Sequence, residues 1–315
     1  EKEMNKAKAI NISIVAPVYN EEENLNTFYG RVSDVLGQLE GGHEIIFIDD
    51  GSKDASSAIL NDLHNKDKRV KVIQFSRNFG HQIAITAGIE HSRGEVVITM
   101  DSDLQDPPEA ILDLINVYLD GYDIVYAVRE KREGESWFKL TTAFVFYRIF
   151  NRLSSVNMPA DAGDFRLMSR RTVEALNKIK EKDRFIRGLV SWVGFKQTSV
   201  RYKRDERKSG RTKFSIPKMT SFAFSGITAF SRVPLKLSMF LGTICGGLSF
   251  LYLTVSLVYF VLGKTIAGWT SLVALIVFFG SIQLFSIGIL GEYIGRIFDE
   301  VKDRPLYIIE DKKGF

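Results

Sequence analysis

The chain has one cysteine, Cys245, among its 315 residues, so no disulfide can form within it and no cysteine-based zinc site is available. Its first nine residues are rich in charge and lack an apolar core, so no signal peptide is expected. An excess of one charge is also missing. Lys and Arg number 42 against 38 Asp and Glu, a net charge of +4. That balance is too even for the dense basic stripe of a nucleic-acid binder, and no nucleic-acid partner is expected. No G-x-x-x-x-G-K-[ST] or G-x-G-x-x-G follows the first β-rich run, which removes the phosphate cradles of P-loop and dinucleotide-binding domains. Finally, charge is nearly absent from residues 237–291, where Lys264 is the sole charged side chain.

That last scarcity defines a membrane part. The uncharged runs 237–263 and 265–291 each exceed the roughly 20 residues that cross a bilayer core. A short turn around Lys264 makes them a two-helix transmembrane hairpin, expected over 233–296. Arg211, Lys213, Lys218, Arg232 and Lys236 precede the hairpin, and Arg296, Lys302, Arg304, Lys312 and Lys313 follow it. The positive-inside rule then puts both flanks in the cytosol. Two further stretches, about 137–153 and 215–232, carry apolar residues interspersed with Lys and Arg and are expected to lie in the head-group layer as amphipathic helices. Residues 297–315 are expected to be a cytosolic tail. Glycines 242, 246, 247, 280, 288, 291 and 295 within or beside the spans permit close helix packing, and a homo-oligomer is expected.

Residues 1–214 hold most of the charge and read as α/β. Short β-branched runs at 12–16, 44–48, 70–75, 96–100 and 124–127 alternate with helix-length segments at 22–39, 56–66, 81–91 and 108–119. Such alternation implies a mostly parallel sheet covered on both faces, with ligands bound beyond the carboxyl ends of its strands. The first run is followed by Pro17-Val18-Tyr19-Asn20-Glu21, the second by Asp49-Asp50-Gly51-Ser52, and the fourth by Asp101-Ser102-Asp103-Leu104-Gln105. Each motif alone is common; together, at one edge of one sheet, they point to a nucleotide diphosphate. Its charge must be neutralised as a bond to it breaks, and carboxylates holding a hard divalent cation do this. Asp101 and Asp103 can reach one ion, with Gln105 as a further oxygen ligand. His81 and Arg77, after the third run, are within range of a nucleotide or simply packed or solvated.

The series IVAPVYNEEE, DDGSKD, FSRNFGHQIAITAG and DSDLQDPPE resembles the family-2 glycosyltransferases. With DAGDFRLMSR, RKSGRTKF and the C-terminal hairpin, residues 10–300 are similar to the polyisoprenyl-phosphate glycosyltransferases, which include bactoprenol glucosyltransferases and dolichol-phosphate mannose synthases. The resemblance implies a GT-A fold, that is, a Rossmann-like, mostly parallel catalytic domain. It also implies transfer of one sugar from a nucleotide sugar to a polyisoprenyl phosphate, with Mg²⁺ or Mn²⁺ as cofactor, at the cytosolic face of the cytoplasmic membrane. Pro17, Tyr19, Glu21 and Asp50 would hold base and ribose, Asp101 the diphosphate, and Asp101, Asp103 and Gln105 the metal. Asp103 and Asp164 would be catalytic, Asp164 as base or as an orienting group, and Arg129, Arg132, Arg207 and Lys213 would bind the acceptor phosphate. No Gln-x-x-Arg-Trp of processive synthases occurs, and the segment around Arg187 is at most a distant echo of it. UDP-glucose is the expected donor and undecaprenyl phosphate the acceptor. GDP-mannose, UDP-N-acetylglucosamine or UDP-amino-arabinose as donor, or a sensor without catalysis, are the alternatives.

Overall fold

The computed structural model describes residues 10–129, 162–202, 231, 233–263 and 268–315. They divide into two compact units, one built from residues 10–202 together with 305–315 and the other from 231–304. The expected interfacial stretch 137–153, and nearly all of 215–232, lie outside the described residues.

The first unit is an α/β sandwich around an eight-stranded sheet in the order β7-β5-β6-β4-β1-β2-β3-β8. β1 (Ile12–Val18), β2 (His43–Asp49), β3 (Val70–Phe75) and β4 (Val96–Thr99) run parallel. Their crossovers are α1 (Leu25–Leu36), α2 (Ser56–Lys66) and α3 (His81–His91). α4 (Ala110–Leu119) leads to β5 (Ile124–Arg129), which pairs in parallel with β7 (Gln197–Tyr202). β6 (Ala162–Ser169) lies antiparallel between β4 and β5, followed by α5 (Arg170–Asn177) and α6 (Ile186–Trp192).

The parallel strands are nearly all apolar because helices cover both faces. Ile14, Ile45, Phe47, Val70 and Ile98 are fully buried with Leu25 and Phe28 of α1, and each such side chain contributes about 1.5–3 kcal/mol of burial. On the opposite face α3 packs closely: a Cβ on Gly88 would stand 2.2 Å from Val15 Cγ1 and 2.7 Å from Ile48 Cδ1. Because β1 has β2 on one side and β4 on the other, the chain reverses direction there, opening a crevice at the carboxyl ends of β1 and β4.

The C-terminal segment is folded rather than free. β8 (Ile309–Lys313) pairs antiparallel with β3, covering an edge that would otherwise expose unpaired backbone groups. Tyr307 stacks on Phe75 with ring centroids 4.9 Å apart.

The second unit is a pair of helices that pack on each other, α7 (Val233–Val261) and α8 (Trp269–Lys302). Both are long and apolar enough to cross a membrane, over Val233–Val255 and Leu275–Lys302. Large apolar side chains point away from the pair, with Phe250 72% and Leu284 71% exposed. α8 extends past its uncharged stretch into a last turn region braced by Arg296 and Glu292, 3.2 Å apart.

Candidate active site

The crevice is framed by loops that hold one another. Asn20, at φ 54°, turns the chain after β1. Its backbone N–H donates to Ser52 Oγ at 3.0 Å, and Lys53 N–H donates back to Asn20 Oδ1 at 2.8 Å. Glu21 N–H donates to Ser56 Oγ. Tyr19 and Glu21 therefore stand on a rim fixed to the Asp-Gly-Ser loop. Gly51 is required there: its φ is +70°, and an added Cβ would lie 2.6 Å from the Arg77 carbonyl carbon. Asp50 is buried, and its carboxylate accepts from Phe79 N–H at 2.7 Å and Gly80 N–H at 3.0 Å. Burial raises its pKa, and those two amides oppose the rise. Asp50 thus fixes the turn that leads into α3, while the Oδ2 of its neighbour Asp49 is buried with no hydrogen-bond partner among the described residues. Arg77 stacks on the Phe79 ring at 4.3 Å.

Across the crevice, Ser102 Oγ donates to Pro17 O at 2.9 Å and ties the acidic loop to the end of β1. Asp103 Oδ1 accepts from Gln105 N–H at 3.1 Å, and Leu104 between them is held at φ 58°. A bulky residue in the left-handed region is uncommon and marks a loop whose shape its surroundings enforce. Asp101 Oδ1 is buried and makes no hydrogen bond among the described residues. Burial first, then the carboxylates of Asp164, Asp106 and Asp103, push Asp101 up to about 6 against the pull of His81. With Asp103 two residues on, this carboxylate, whose nearest cation is His81 Nε2 at 3.4 Å, can offer oxygen to a divalent cation.

Asp164 lies at the centre of a cationic cluster. Arg187 grips it at two points, Nε to Oδ1 at 3.0 Å and a terminal nitrogen to Oδ2 at 2.8 Å. Arg166 donates to Oδ1 at 3.0 Å, and His81 Nε2 lies 3.2 Å from Oδ2. Gln82 bridges the assembly, its Nε2 3.4 Å from Asp164 Oδ2 and its Oε1 accepting from Ile186 N–H at 3.1 Å at the start of α6. Burial works against the charged carboxylate, yet Arg187 and His81 hold Asp164 well below the usual carboxylate range. Burial likewise opposes the imidazolium of His81, but Asp101 and Asp164 raise it to about 9. His81 spans the two carboxylates, its Nε2 3.4 Å from Asp101 Oδ1.

Of the expected site residues, Pro17, Asp101, Asp103, Gln105 and Asp164 come together around this crevice, with Tyr19, Glu21 and Asp50 on the rim tied to the Asp-Gly-Ser loop. Arg129 stands at the end of β5, held by Tyr202 OH at 3.5 Å from Nε and by Asp106 at 3.9 Å; Tyr202 also donates to Asp106. Arg132, Arg207 and Lys213 lie outside the described residues. Sequence reasoning did not find Arg166, Arg187, Gln82 or Tyr202. Arg166 was within reach of it, since it sits two residues from Asp164 on one strand and so on the same face.

Residues 13–176 match Glycosyl transferase family 2. The chain belongs to that family. An uncharacterized glycosyltransferase, YkcC, of Bacillus subtilis is 49% identical over 98% of this chain and 96% of its own length. The bactoprenol glucosyl transferase of Shigella phage SfV is 43% identical over 96% of this chain and 99% of its own. The crystal structure of glucosyl-3-phosphoglycerate synthase from Mycobacterium tuberculosis with phosphoglyceric acid superposes with a TM-score of 0.50 at 21% identity, covering 72% of this chain and 81% of the other. That likeness concerns the fold alone. This family-2 glycosyltransferase combines the GT-A catalytic sheet with two apolar C-terminal helices.

Proposed function

We propose that the enzyme transfers one glucose from UDP-glucose to the phosphate of undecaprenyl phosphate, inverting the anomeric carbon, at the cytosolic face of the cytoplasmic membrane. The observation that carries this reading is the Asp101–Asp103 loop at the chain-reversal crevice, with Asp101 Oδ1 buried and making no hydrogen bond among the described residues. Its membership of the family and its likeness to relatives named bactoprenol glucosyl transferase support the acceptor and the sugar.

A divalent cation, Mg²⁺ or Mn²⁺, bound by Asp101 and Asp103 with Gln105 beside them, would neutralise the departing diphosphate as a Lewis acid. Among the described residues no three His, Cys, Asp or Glu side chains gather at one point; Asp101 and Asp103, with Gln105, are the oxygen donors that would hold the ion. Pro17, Tyr19, Glu21 and Asp50 form the wall for base and ribose. Arg129, with Arg132, Arg207 and Lys213, receives the acceptor phosphate.

The acceptor oxygen attacks the anomeric carbon as its bond to the diphosphate breaks, and UDP departs with the bonding pair. A phosphate monoester has a second pKa of about 6 and is already anionic at neutral pH. No strong base is then needed, and Asp164, held below the ordinary carboxylate range by its cations, is a weak proton acceptor. Its role in this reading is to orient the cations around the reacting phosphates.

The exposed apolar faces of α7 and α8 fit burial in lipid, and the Lys and Arg flanking both ends of the hairpin fit cytosolic ends. A Cβ on Gly242, Gly246, Gly247, Gly280, Gly288, Gly291 or Gly295 would meet nothing within 4 Å, leaving those surfaces open to a second copy in a homo-oligomer.

The test is transfer of label from UDP-glucose to undecaprenyl phosphate by the purified full-length protein, with and without Mg²⁺ or Mn²⁺. Metal-dependent labelled lipid, lost in Asp103→Ala, is expected. Product with GDP-mannose, UDP-N-acetylglucosamine or UDP-amino-arabinose instead would keep the reaction and replace the donor. No product with any donor, from protein that still binds nucleotide, would leave a sensor.

A further inference from the structure

Two strands end side by side at the crevice. Arg129 closes β5 and Tyr202 closes β7, and the two residues are register partners in the parallel ladder. The Tyr202 ring is packed in the core, edge-on to Phe165 with ring centroids 5.8 Å apart, so its hydroxyl has a fixed position. That hydroxyl donates to Asp106, a carboxylate with 3% of its side chain exposed. Asp106 is fixed as well. It follows Gln105 in the acidic loop and precedes Pro107 and Pro108, which restrict the backbone on its far side. The loop after β4 thus reaches across to the end of β7 and meets a phenol there.

Arg129 lies against this pair. Its Nε is 3.5 Å from the phenolic oxygen, and a terminal nitrogen is 3.9 Å from Asp106 Oδ1. Burial opposes the guanidinium charge, while Asp106 and then the bond to Tyr202 favour it. Burial, then Asp106, raise the pKa of the phenol. Its proton therefore stays in place at neutral pH, and its oxygen remains an acceptor for Arg129. The head group of Arg129 reaches β6 at Gly163, where an added Cβ would stand 3.9 Å from an Arg129 terminal nitrogen. The next residue on β6 is Asp164. An arginine braced by two buried groups before its ligand arrives gives up less rotamer freedom on binding, and its planar fork matches the oxygens of a phosphate.

We propose that Tyr202 and Asp106 are positioning residues for Arg129: the phenol–carboxylate pair at the ends of β7 and the acidic loop holds the guanidinium beside Gly163, where it meets the acceptor phosphate, and neither residue touches substrate. The proposal rests on the reading of Arg129 as an acceptor-phosphate ligand, and the two can fail separately.

Full-length wild type, Tyr202→Phe, Arg129→Gln and the double variant are compared in detergent, by initial rates against undecaprenyl phosphate and by calorimetric titration with UDP and Mn²⁺. Asp106 has contacts outside this trio, so Tyr202, whose ring the phenylalanine retains, is the cleaner place to cut. Tyr202→Phe should raise the acceptor KM roughly 3- to 10-fold and keep UDP affinity within about twofold of wild type. With Arg129→Gln already present, it should add less than about twofold. An acceptor KM unmoved by Tyr202→Phe, while Arg129→Gln raises it, overturns the proposal and leaves Arg129 as a phosphate ligand. Equal fold-changes in the two backgrounds also overturn it, since the hydroxyl would then act other than through Arg129. An acceptor KM unmoved by Arg129→Gln removes the phosphate role of Arg129 and the proposal with it. A wild type that transfers no sugar from any donor would end the transfer reading, and the same four proteins are then titrated with farnesyl phosphate. An affinity loss in Tyr202→Phe that vanishes in the Arg129→Gln background would sustain the positioning role, and any other pattern would overturn it. Should Tyr202→Phe not fold, Asp106→Asn, which keeps an acceptor for the phenol but removes the charge facing Arg129, is read by the same criteria.

Discussion

Tyr307 donates its phenolic hydrogen to Glu90 at 2.6 Å, so the chain just beyond α8 is fastened to the end of α3, the helix whose first residue is His81. Glu90 also lies 3.9 Å from Arg184, in the segment leading into α6. Burial, and then this bond, raise the pKa of the tyrosine. The C-terminal strand thereby braces both helices that supply cations to the site.

Tyr307→Phe keeps the stack on Phe75 and removes only the bond to Glu90. A hydrogen bond to a charged acceptor is worth about 1.5–3 kcal/mol, which for a unit of this size lowers the melting temperature by roughly 3–10 °C. The expected result is a lower melting temperature by scanning calorimetry with UDP affinity retained. An unchanged melting temperature would show that the strand is held by its backbone pairing alone.

Gly51 makes a sharper demand. Alanine at φ +70°, with its Cβ 2.6 Å from the Arg77 carbonyl carbon, should cost about 1–3 kcal/mol of backbone strain. Relief requires the loops after β2 and β3 to part, and these loops carry the rim proposed to hold the nucleotide. Gly51→Ala is therefore expected to weaken UDP binding as well as stability, whereas Gly121→Ala, also at positive φ but with nothing within 4 Å of its Cβ, should lower stability only. Equal UDP affinity in the two variants would count against a role for this rim.

Much of this architecture can be read from the residues. The helices expected at 56–66 and 81–91 are α2 and α3 at those bounds, because β-branched runs and turn formers punctuate the chain on either side. The acidic motifs were legible because a parallel sheet gathers whatever follows its strands at one edge. β8 was not, since Ile309–Lys313 is charged and shows no apolar alternation; its register opposite Val72–Phe75 is set by backbone pairing across the length of the chain. The cations were missed for a related reason. Arg187 carries no local mark beyond a distant echo of the processive-synthase motif, and only the fold brings α6 over Asp164.

Removing the charge of Asp164 should show how far that cluster supports itself. Asp164→Asn leaves Arg166 buried and Arg187 half-buried without their anion, and breaking a buried pair from one side costs about 3–5 kcal/mol. Adding Arg166→Met removes the more deeply buried of the two stranded charges. The double variant should recover at least about 1 kcal/mol relative to the sum of the single changes, without recovering transfer. Additive losses in a double-mutant cycle would mean that the two side chains do not stabilise each other.

Acid stability offers a test far from the site. Asp67 accepts from Tyr29 OH at 2.9 Å and from Arg69 through its backbone and guanidinium, joining α1 to the turn before β3. Hydrogen bonds from the Arg69 side chain, then from its backbone and Tyr29, outweigh burial and lower the Asp67 pKa from 3.8 to about 2. Above the unfolded value the carboxylate is ionised in both states, and its contacts stabilise the fold in full. As the pH falls from about 4 towards 2, the unfolded chain takes up the proton first and that stabilisation is withdrawn. Arg69 is largely exposed, so screening keeps the effect below about 1 kcal/mol. Asp67→Asn should thus lower the melting temperature slightly at pH 6 and converge on the wild type near pH 2. A difference of constant size across that window would assign the stability to packing around Tyr29 instead of to the charge.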